Sequence, residues 1–432
     1  MTLATVDDLV AALEDARSRT HALVDDLGDD ELEVPRIGIV NPILWEIGHV
    51  AWFQEKWCLR REGGPSVLRE ADALYDSAAV AHDTRWDIVL PSRAETWRYA
   101  REVLDAVCER LAGRTLEPET RSFVLLSLFH EDMHGEAFLY TRQTLSLLPP
   151  RGFASSPASG GTLPGDAEIS GGTFRLGAEE SASGGAFVFD NEKWAHDVTL
   201  APFRIARAAV TEDEFAAFAD DRGYSRRELW TDEGWRWRES ARAERPVYWS
   251  RGTGGRWFRR DFDRLVPIDS ALPVVHVCAH EADAFCRWAG RRLPTEAEWE
   301  AAAAGDDPRA IPRRKRPHPW GDGPPGPDRA RLDLDSLARA DVGAFPAGDS
   351  ACGCRQMTGN VWEWTSSAFG PYPGFTPDPY KEYSAPWFGD HRVLRGGCFA
   401  TRGRLLRNTW RNFYRPDRRD VFAGFRTAAD AE

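Results

Sequence analysis

The chain changes character once, and that change limits what it can fold into. Residues 149–166, Pro149-Pro-Arg-Gly-Phe-Ala-Ser-Ser-Pro through Gly165-Asp166, form a Pro/Gly/Ser-rich stretch with little to bury, which predicts a linker. Upstream, residues 6–26 carry Leu9, Leu13, Ala16 and Leu23 at helical spacing. Asn41-Pro42 predicts an N-cap and N1 proline for the segment carrying His49, and Ser92-Arg-Ala-Glu95 is a capping-box sequence opening a helix over 93–112. Pro118 opens a fourth helical pattern that runs to Leu147. Four such helices predict a bundle. Downstream the pattern breaks into short strand-like runs (Gly172 to Leu176, Val198 to Ile205), short helices (Thr211 to Ala219, Glu281 to Ala289, Thr295 to Ala303) and long loops, without a solenoid or propeller period. The expectation is an α+β chain of three parts: a four-helix bundle over 1–148, a linker over 149–166 and a mixed domain of low regular content over 167–432.

Three histidines stand out in the predicted bundle. His130 and His134 are four apart in His130-Glu-Asp-Met-His134, so on a helix they share one face, where two imidazoles can hold one ion; His49 can join them from a neighbouring helix. A bundle core is where such sites are built. A lone core histidine is ordinarily just hydrogen-bonded, but a pair at this spacing points to a metal.

Composition removes other function classes. With 432 residues and 42% hydrophobic content the chain can bury real cores, and 55 Lys+Arg against 68 Asp+Glu, a net charge of −13, argues against binding a nucleic acid backbone. No basic, apolar leader opens the sequence and no run is long enough for a membrane helix, so the expected location is cytoplasmic, with no membrane and no obligate protein partner. Seven cysteines (58, 108, 278, 286, 352, 354, 398) fit a reducing compartment, and only Cys352-Gly-Cys354 is close-spaced, a loop thiol pair. Eighteen tryptophans each need a partner for an indole N–H, or a pocket to line.

Several strings in the second half carry a family resemblance: Gly171-Gly-Thr-Phe-Arg-Leu-Gly177, Arg292-Leu-Pro-Thr-Glu-Ala-Glu-Trp-Glu300, Pro319-Trp-Gly-Asp322, Gly359-Asn-Val-Trp-Glu-Trp-Thr365, Leu394-Arg-Gly-Gly397 and Phe422-Ala-Gly-Phe-Arg426. Together they resemble the formylglycine-generating-enzyme (sulfatase-modifying factor) domain, a C-type-lectin-like mixed fold, over about 167–428. Relatives that oxidise a peptide cysteine use a pair of cysteines near the C-terminus. Here only Cys398 follows Arg395-Gly-Gly, and Arg407 to Arg411 contains none, which disfavours copper-type formylglycine formation.

A DinB-like bundle with His plus His-x-x-x-His ahead of that domain resembles the non-haem iron sulfoxide synthases of ergothioneine and ovothiol biosynthesis and the related selenoneine synthase. The resemblance implies Fe(II) held by His49, His130 and His134, with positions left open for O2 and a thiolate or selenolate. It implies hercynine, a trimethylated histidine betaine, as acceptor. A quaternary ammonium donates no hydrogen bond and is recognised by ring faces, which Tyr380, Tyr383, Trp387, Phe388, Trp410, Phe413 and Tyr414 offer within residues 380–414. Tyr380 stands at the place of the family's active-site tyrosine, with Tyr383 the near alternative; the implied task is protonation of a reduced oxygen species.

The sulfur-donor side departs from the ergothioneine pattern. In place of two arginines three apart the chain has His82-Asp83-Thr-Arg85; in place of Arg-Asn-Trp-Asp it has Arg411-Asn412-Phe413-Tyr414; in place of a glutamine before the last ligand it has Met133. Lost charges disfavour the zwitterionic γ-glutamylcysteine, since its unpaired groups would be costly to bury. A selenosugar, recognised by neutral hydrogen bonds and stacking from His82, Asp83 and Trp86, is the expected donor. γ-Glutamylcysteine or cysteine is the alternative. Two rival classes remain: a zinc metalloprotease through His130-Glu131-x-x-His134, and a non-catalytic binding module with structural histidines.

Overall fold

Residues 3–61, 63–180, 187–305 and 315–431 are described in the computed structural model, and they form two units, Met1–Gly152 and Phe153–Glu432. Each is built around its own core.

In the first unit, α1 (Val6–Val24) opens with a capping box in which the Thr5 hydroxyl accepts from the Asp8 amide and the Asp8 carboxylate accepts from the Thr5 amide. The short α2 (Asp29–Leu32) follows. Helix α3 (Ile43–Glu55) is apolar nearly all round and correspondingly buried on nearly every side, which makes it the central helix. It continues into a π-helical turn, Lys56–Arg60. After the short α4 (Ala71–Tyr75), the predicted Ser92/Glu95 box starts α5 (Arg93–Leu111), and Pro118 sits at the first turn of α6 (Pro118–Leu145). Helix α3 packs on α4, α5 and α6, while α1 packs on α6.

Two helix ends differ from the expectation. Pro42, not Asn41, is the N-cap of α3, because the Asn41 carboxamide accepts from Arg85 at 2.6 Å instead of turning back onto the helix. Helix α6 stops at Leu145, since Ser146 adopts a left-handed conformation (φ 60°) that closes the helix.

In the second unit, β1 (Asp166–Ile169), β2 (Gly172–Leu176), β3 (His196–Leu200) and β4 (Phe203–Ala206) come first. The run expected as one strand over 198–205 is two: Pro202 supplies no amide to a ladder, so β3 pairs with β2 while β4 lies between β1 and the C-terminal strand. Then come α7 (Glu212–Asp220), α8 (Asp232–Ala241), the meander β5 (Trp249–Arg251), β6 (Trp257–Asp261) and β7 (Arg264–Pro267), α9 (Ala279–Trp288) and α10 (Glu296–Ala304). The last strands are β8 (Trp362–Ala368), β9 (Arg392–Arg395), β10 (Asn412–Tyr414), β11 (Ala423–Gly424) and β12 (Ala428–Asp430). They give the sheets β10-β9-β8-β11 and β1-β4-β12. Helix α8 was not foreseen: its Trp-Arg-Trp-Arg string reads as irregular without the Thr231 cap that accepts from the Gly234 amide.

A core of Phe174, Leu176, Phe203, Ile205, Trp299 and Met357 joins these layers. Several buried indoles find partners: Trp299 donates to Glu363, Trp364 to the Val277 carbonyl and Trp230 to the Gly223 carbonyl.

The stretch expected to be a linker is tied to the second unit. The Leu337, Asp341 and Gly343 amides donate to the carbonyls of Ala154, Ala158 and Gly161, and the Asp341 carboxylate accepts from the Gly160 and Gly161 amides. Gly160 lies so close that a Cβ there would fall 2.2 Å from the Ala344 nitrogen. Low apolar content gives no sign of this, because these residues are held through backbone groups and not through side-chain burial.

Candidate functional site

Helices α3 and α6 bring His49, His130 and His134 together, with one ring nitrogen from each lying within 4.8 Å of the others. Their ring centroids are 4.5 to 5.2 Å apart. His49 and His130 are 3% and 5% exposed, whereas the His134 side chain is 18% exposed, so the open side of the cluster lies at His134.

The ring orientations suit metal binding. His49 Nδ1 faces the Tyr75 carbonyl at 2.8 Å. A carbonyl only accepts, so Nδ1 carries the proton and Nε2 keeps its lone pair. His134 Nδ1 donates to the Glu46 carboxylate at 2.5 Å, a pairing that fixes the ring's tautomer and orientation. Burial, then the neighbouring His134, pushes His49 well below the usual histidine range, and burial with the other two imidazoles does the same for His130. Both are therefore neutral, as ligands must be. Trp45 stacks on His49 at 4.8 Å and Phe53 on His130 at 3.7 Å, which locks the rings.

Three residues of this arrangement were not singled out in the sequence. Glu46 lies one helical turn before His49, so its place on the same face was readable. Tyr75 contributes a main-chain oxygen, for which side-chain identity gives no signal. Gly48 admits the Tyr75 ring, since a Cβ there would fall 2.2 Å from it.

Glu131 sits elsewhere. Arg17 of α1 binds it through Nε at 2.8 Å and Nη2 at 3.1 Å, and the Thr20 hydroxyl donates to it at 2.9 Å. A metalloprotease base must face the metal-bound water, and a carboxylate paired to another helix cannot do so.

The first unit also places the expected donor residues. His82 donates to the Val40 carbonyl at 2.8 Å, and the Trp86 indole donates to the Val34 carbonyl at 2.7 Å. Arg85 donates to Asn41 and lies 4.0 Å over the Trp45 ring, with burial lowering its pKa to about 10. Asp83 is exposed, and Met133 is partly exposed beside His134.

In the second unit the predicted aromatics do gather. Tyr383 stacks on Phe189 at 4.4 Å and lies 6.1 Å from Tyr380 and 5.8 Å from Phe413. Phe413 stacks on Phe369 at 4.0 Å, and His391 bridges it to Trp387. Phe189 and Phe369 were missed because they come from outside the dense segment, and His391 because, inside it, only Tyr, Trp and Phe were taken as rings. Trp410 is core, 2% exposed, whereas Trp387 is 43% exposed. Burial raises the Tyr383 phenol well above its ordinary value, so it is a proton carrier and not a phenolate at neutral pH. Asn412, Phe413 and Tyr414 form β10 opposite Leu394, Val393 and Arg392. Arg411 is 1% exposed and engaged throughout: Nε and Nη2 bind Glu296, and Nη1 donates to the carbonyls of Asn191 and Gly370. It was expected to touch substrate, and its bonds tie α10 to two loops.

Among the described residues no helix is long and apolar enough to cross a membrane. Residues 12–137 match the DinB superfamily, and residues 153–431 match the sulfatase-modifying factor enzyme 1-like domain. The hercynine oxygenase of Mycolicibacterium thermoresistibile is 40% identical over 98% of this chain and 95% of its own length, and that of Mycobacterium tuberculosis is 38% identical over 98% and 99%. The formylglycine-generating enzyme of Streptomyces coelicolor is 32% identical over 62% of this chain and 90% of its own. Two full-length matches of that kind show the family: this chain belongs with the hercynine oxygenases, a DinB-superfamily unit followed by a sulfatase-modifying factor enzyme 1-like domain.

Proposed function

We propose that this protein is an Fe(II)- and O2-dependent oxygenase acting on hercynine, with His49, His130 and His134 as its metal ligands. The observation that carries the reading is the set of three convergent imidazoles, two of them oriented by Tyr75 and Glu46. Imidazole ligands with positions left open suit a redox metal that takes up O2, and the family relatives supply the acceptor. Bound iron would activate O2 and relay to it electrons drawn from the donor and hercynine as they are oxidised. The chain's own part is to keep His49 and His130 neutral, to hold the rings in place and to present phenols in the second unit as proton donors. The aromatic group around Tyr380, Tyr383 and Phe413 supports recognition of a trimethylammonium.

For the donor we infer a selenosugar, which makes the reaction the formation of a carbon–selenium bond. Both arginines in the expected donor segments are already engaged, Arg85 by Asn41 and Trp45 and Arg411 by Glu296, which leaves neither as a ready carboxylate partner. Two missing charge-assisted contacts correspond to about 3 kcal/mol, on the order of a hundredfold in selectivity. The test is a competition: iron-loaded protein, O2 and hercynine are offered the selenosugar and γ-glutamylcysteine together, and products are identified by mass. Preference for the selenosugar is expected. Preference for γ-glutamylcysteine would overturn the donor and leave the hercynine reading standing.

A further inference from the structure

Cys352 and Cys354, in the second unit, take no part in the chemistry above. They sit on a tight turn: the Ser350 amide donates to the Cys354 carbonyl at 2.9 Å and the Gly353 amide to the Ser350 carbonyl at 2.9 Å. Gly353 makes the turn feasible at φ 83°, a conformation that other residues rarely adopt. The two sulfurs are thereby held 3.6 Å apart. Cys354 is buried in the core with Trp299 and Met357, whereas Cys352 packs against that core and stays partly exposed.

Their surroundings treat the two thiols differently. The Ser350 hydroxyl accepts from the Cys354 amide at 3.2 Å, so its own proton is available to Cys352 Sγ, 3.0 Å away. Cys352 Sγ also lies 3.2 Å from the Ala302 carbonyl, which favours its thiol, but the hydrogen bonds it shares with Cys354 and Ser350 favour the thiolate and outweigh its burial, and the Arg426 guanidinium acts in the same direction. Cys354 is shifted the opposite way, chiefly by its bond to Cys352 and by burial. Cys58 and Cys108, the other partly exposed cysteines, are both pushed up to about 11 by burial. A thiolate-forming sulfur on a partly exposed residue beside a protonated, buried one is the arrangement of an attacking and a resolving cysteine.

We propose that Cys352 and Cys354 form a reversible redox site that reduces small hydroperoxides. The Cys352 thiolate attacks one peroxide oxygen; an S–O bond forms, the O–O bond breaks, and the departing oxygen takes a proton and leaves as an alcohol, or as water from hydrogen peroxide. Cys352 is thereby oxidised by two electrons to a sulfenic acid and the peroxide is reduced. Cys354 then gives up its proton, its sulfur bonds to Cys352, the S–O bond breaks, and hydroxide leaves with that proton as water. The sum is two thiols and one hydroperoxide giving one disulfide, one alcohol and one water. Partial burial of Cys352 favours small oxidants. A disulfide across one intervening residue closes a short ring, so a thiol reductant should reopen it readily.

The test uses the full chain and hydrogen peroxide, followed by alkylation of remaining thiols and tryptic mass spectrometry. Both cysteines fall in one tryptic peptide, residues 340–355, between Arg339 and Arg355. That peptide should lose two hydrogens and become blocked to alkylation about tenfold faster than Cys58 or Cys108 reacts, and a dithiol should restore it. In Cys354→Ser, Cys352 should stop at a sulfenic acid that a cyclic diketone captures; in Cys352→Ser, Cys354 should stay reduced. Oxidation of Cys58 or Cys108 at the same rate in the wild-type chain overturns the proposal, as does conversion of Cys352 to sulfinate with no disulfide.

Discussion

At the scale of single residues, the metal reading makes unequal demands on the groups around the histidines. Replacing His134 by Ala removes a ligand, and both iron content and turnover should collapse; full iron occupancy in that variant excludes His134 from the shell. Glu46→Gln keeps the shape but removes the charge behind His134, so metal affinity should drop about tenfold to a hundredfold without abolition, as a chelator titration would read. Unchanged affinity would show the Glu46 contact to be incidental. The three histidines were legible because imidazoles four apart on a helix face one way, and Glu46 lay within the same periodicity. Tyr75 was not, since its contribution is a carbonyl brought in by a short helix through the space left at Gly48. Arg411 shows the converse: the string around it was visible, but its pairing with Glu296, 115 residues away, was not.

At the scale of elements, the pairing of α1 with α6 governs how His130 and His134 are presented. Arg17, buried on α1, holds Glu131 in the same turn of α6 as His130. Arg17→Ala leaves a buried carboxylate unpaired and should cost about 3 kcal/mol of stability, seen as a lower urea midpoint of the first unit. Glu131→Gln should lose less stability, retain iron and retain turnover, because this side chain points to α1. Loss of turnover at full iron occupancy would instead make Glu131 part of the chemistry and revive the protease-like role. Elements with strong local signals were readable: the Ser92/Glu95 box and Pro118 marked their helix starts within a residue. The strand break at Pro202 and the ordering of residues 154–161 were not, because both depend on which distant backbone groups accept the hydrogen bonds.

At the scale of the whole molecule, buried neutral histidines in the second unit should add their own share of acid sensitivity. Burial first, with nearby arginines, lowers His276 to about 3 and His318 to about 4. In the unfolded chain both titrate near ~6.5, so below that pH the unfolded state binds protons that the folded state refuses. The stabilising contribution is therefore complete above about pH 6.5 and is lost as pH falls, to about 4 for His318 and about 3 for His276, at up to about 1.4 kcal/mol per pH unit for each histidine. His276→Asn, which tolerates the left-handed φ of 62°, should remove one such share of the slope; an unaltered slope would assign the acid sensitivity elsewhere. The same division into units makes a functional prediction. The proposed metal ligands belong to the first unit and the aromatic group to the second, so their readouts should separate. Tyr380→Phe and Tyr383→Phe should each keep full iron and bind hercynine, and the one that delivers the proton should divert O2 towards simple oxidation of the donor. Unchanged product partition in both would remove these phenols from oxygen handling. Replacing hercynine by plain histidine should weaken binding markedly while leaving iron untouched, because ring faces reward a large, poorly hydrated cation and do little for a primary ammonium. Equal binding of the two would dismiss aromatic recognition of the acceptor and leave the three-histidine centre as it stands.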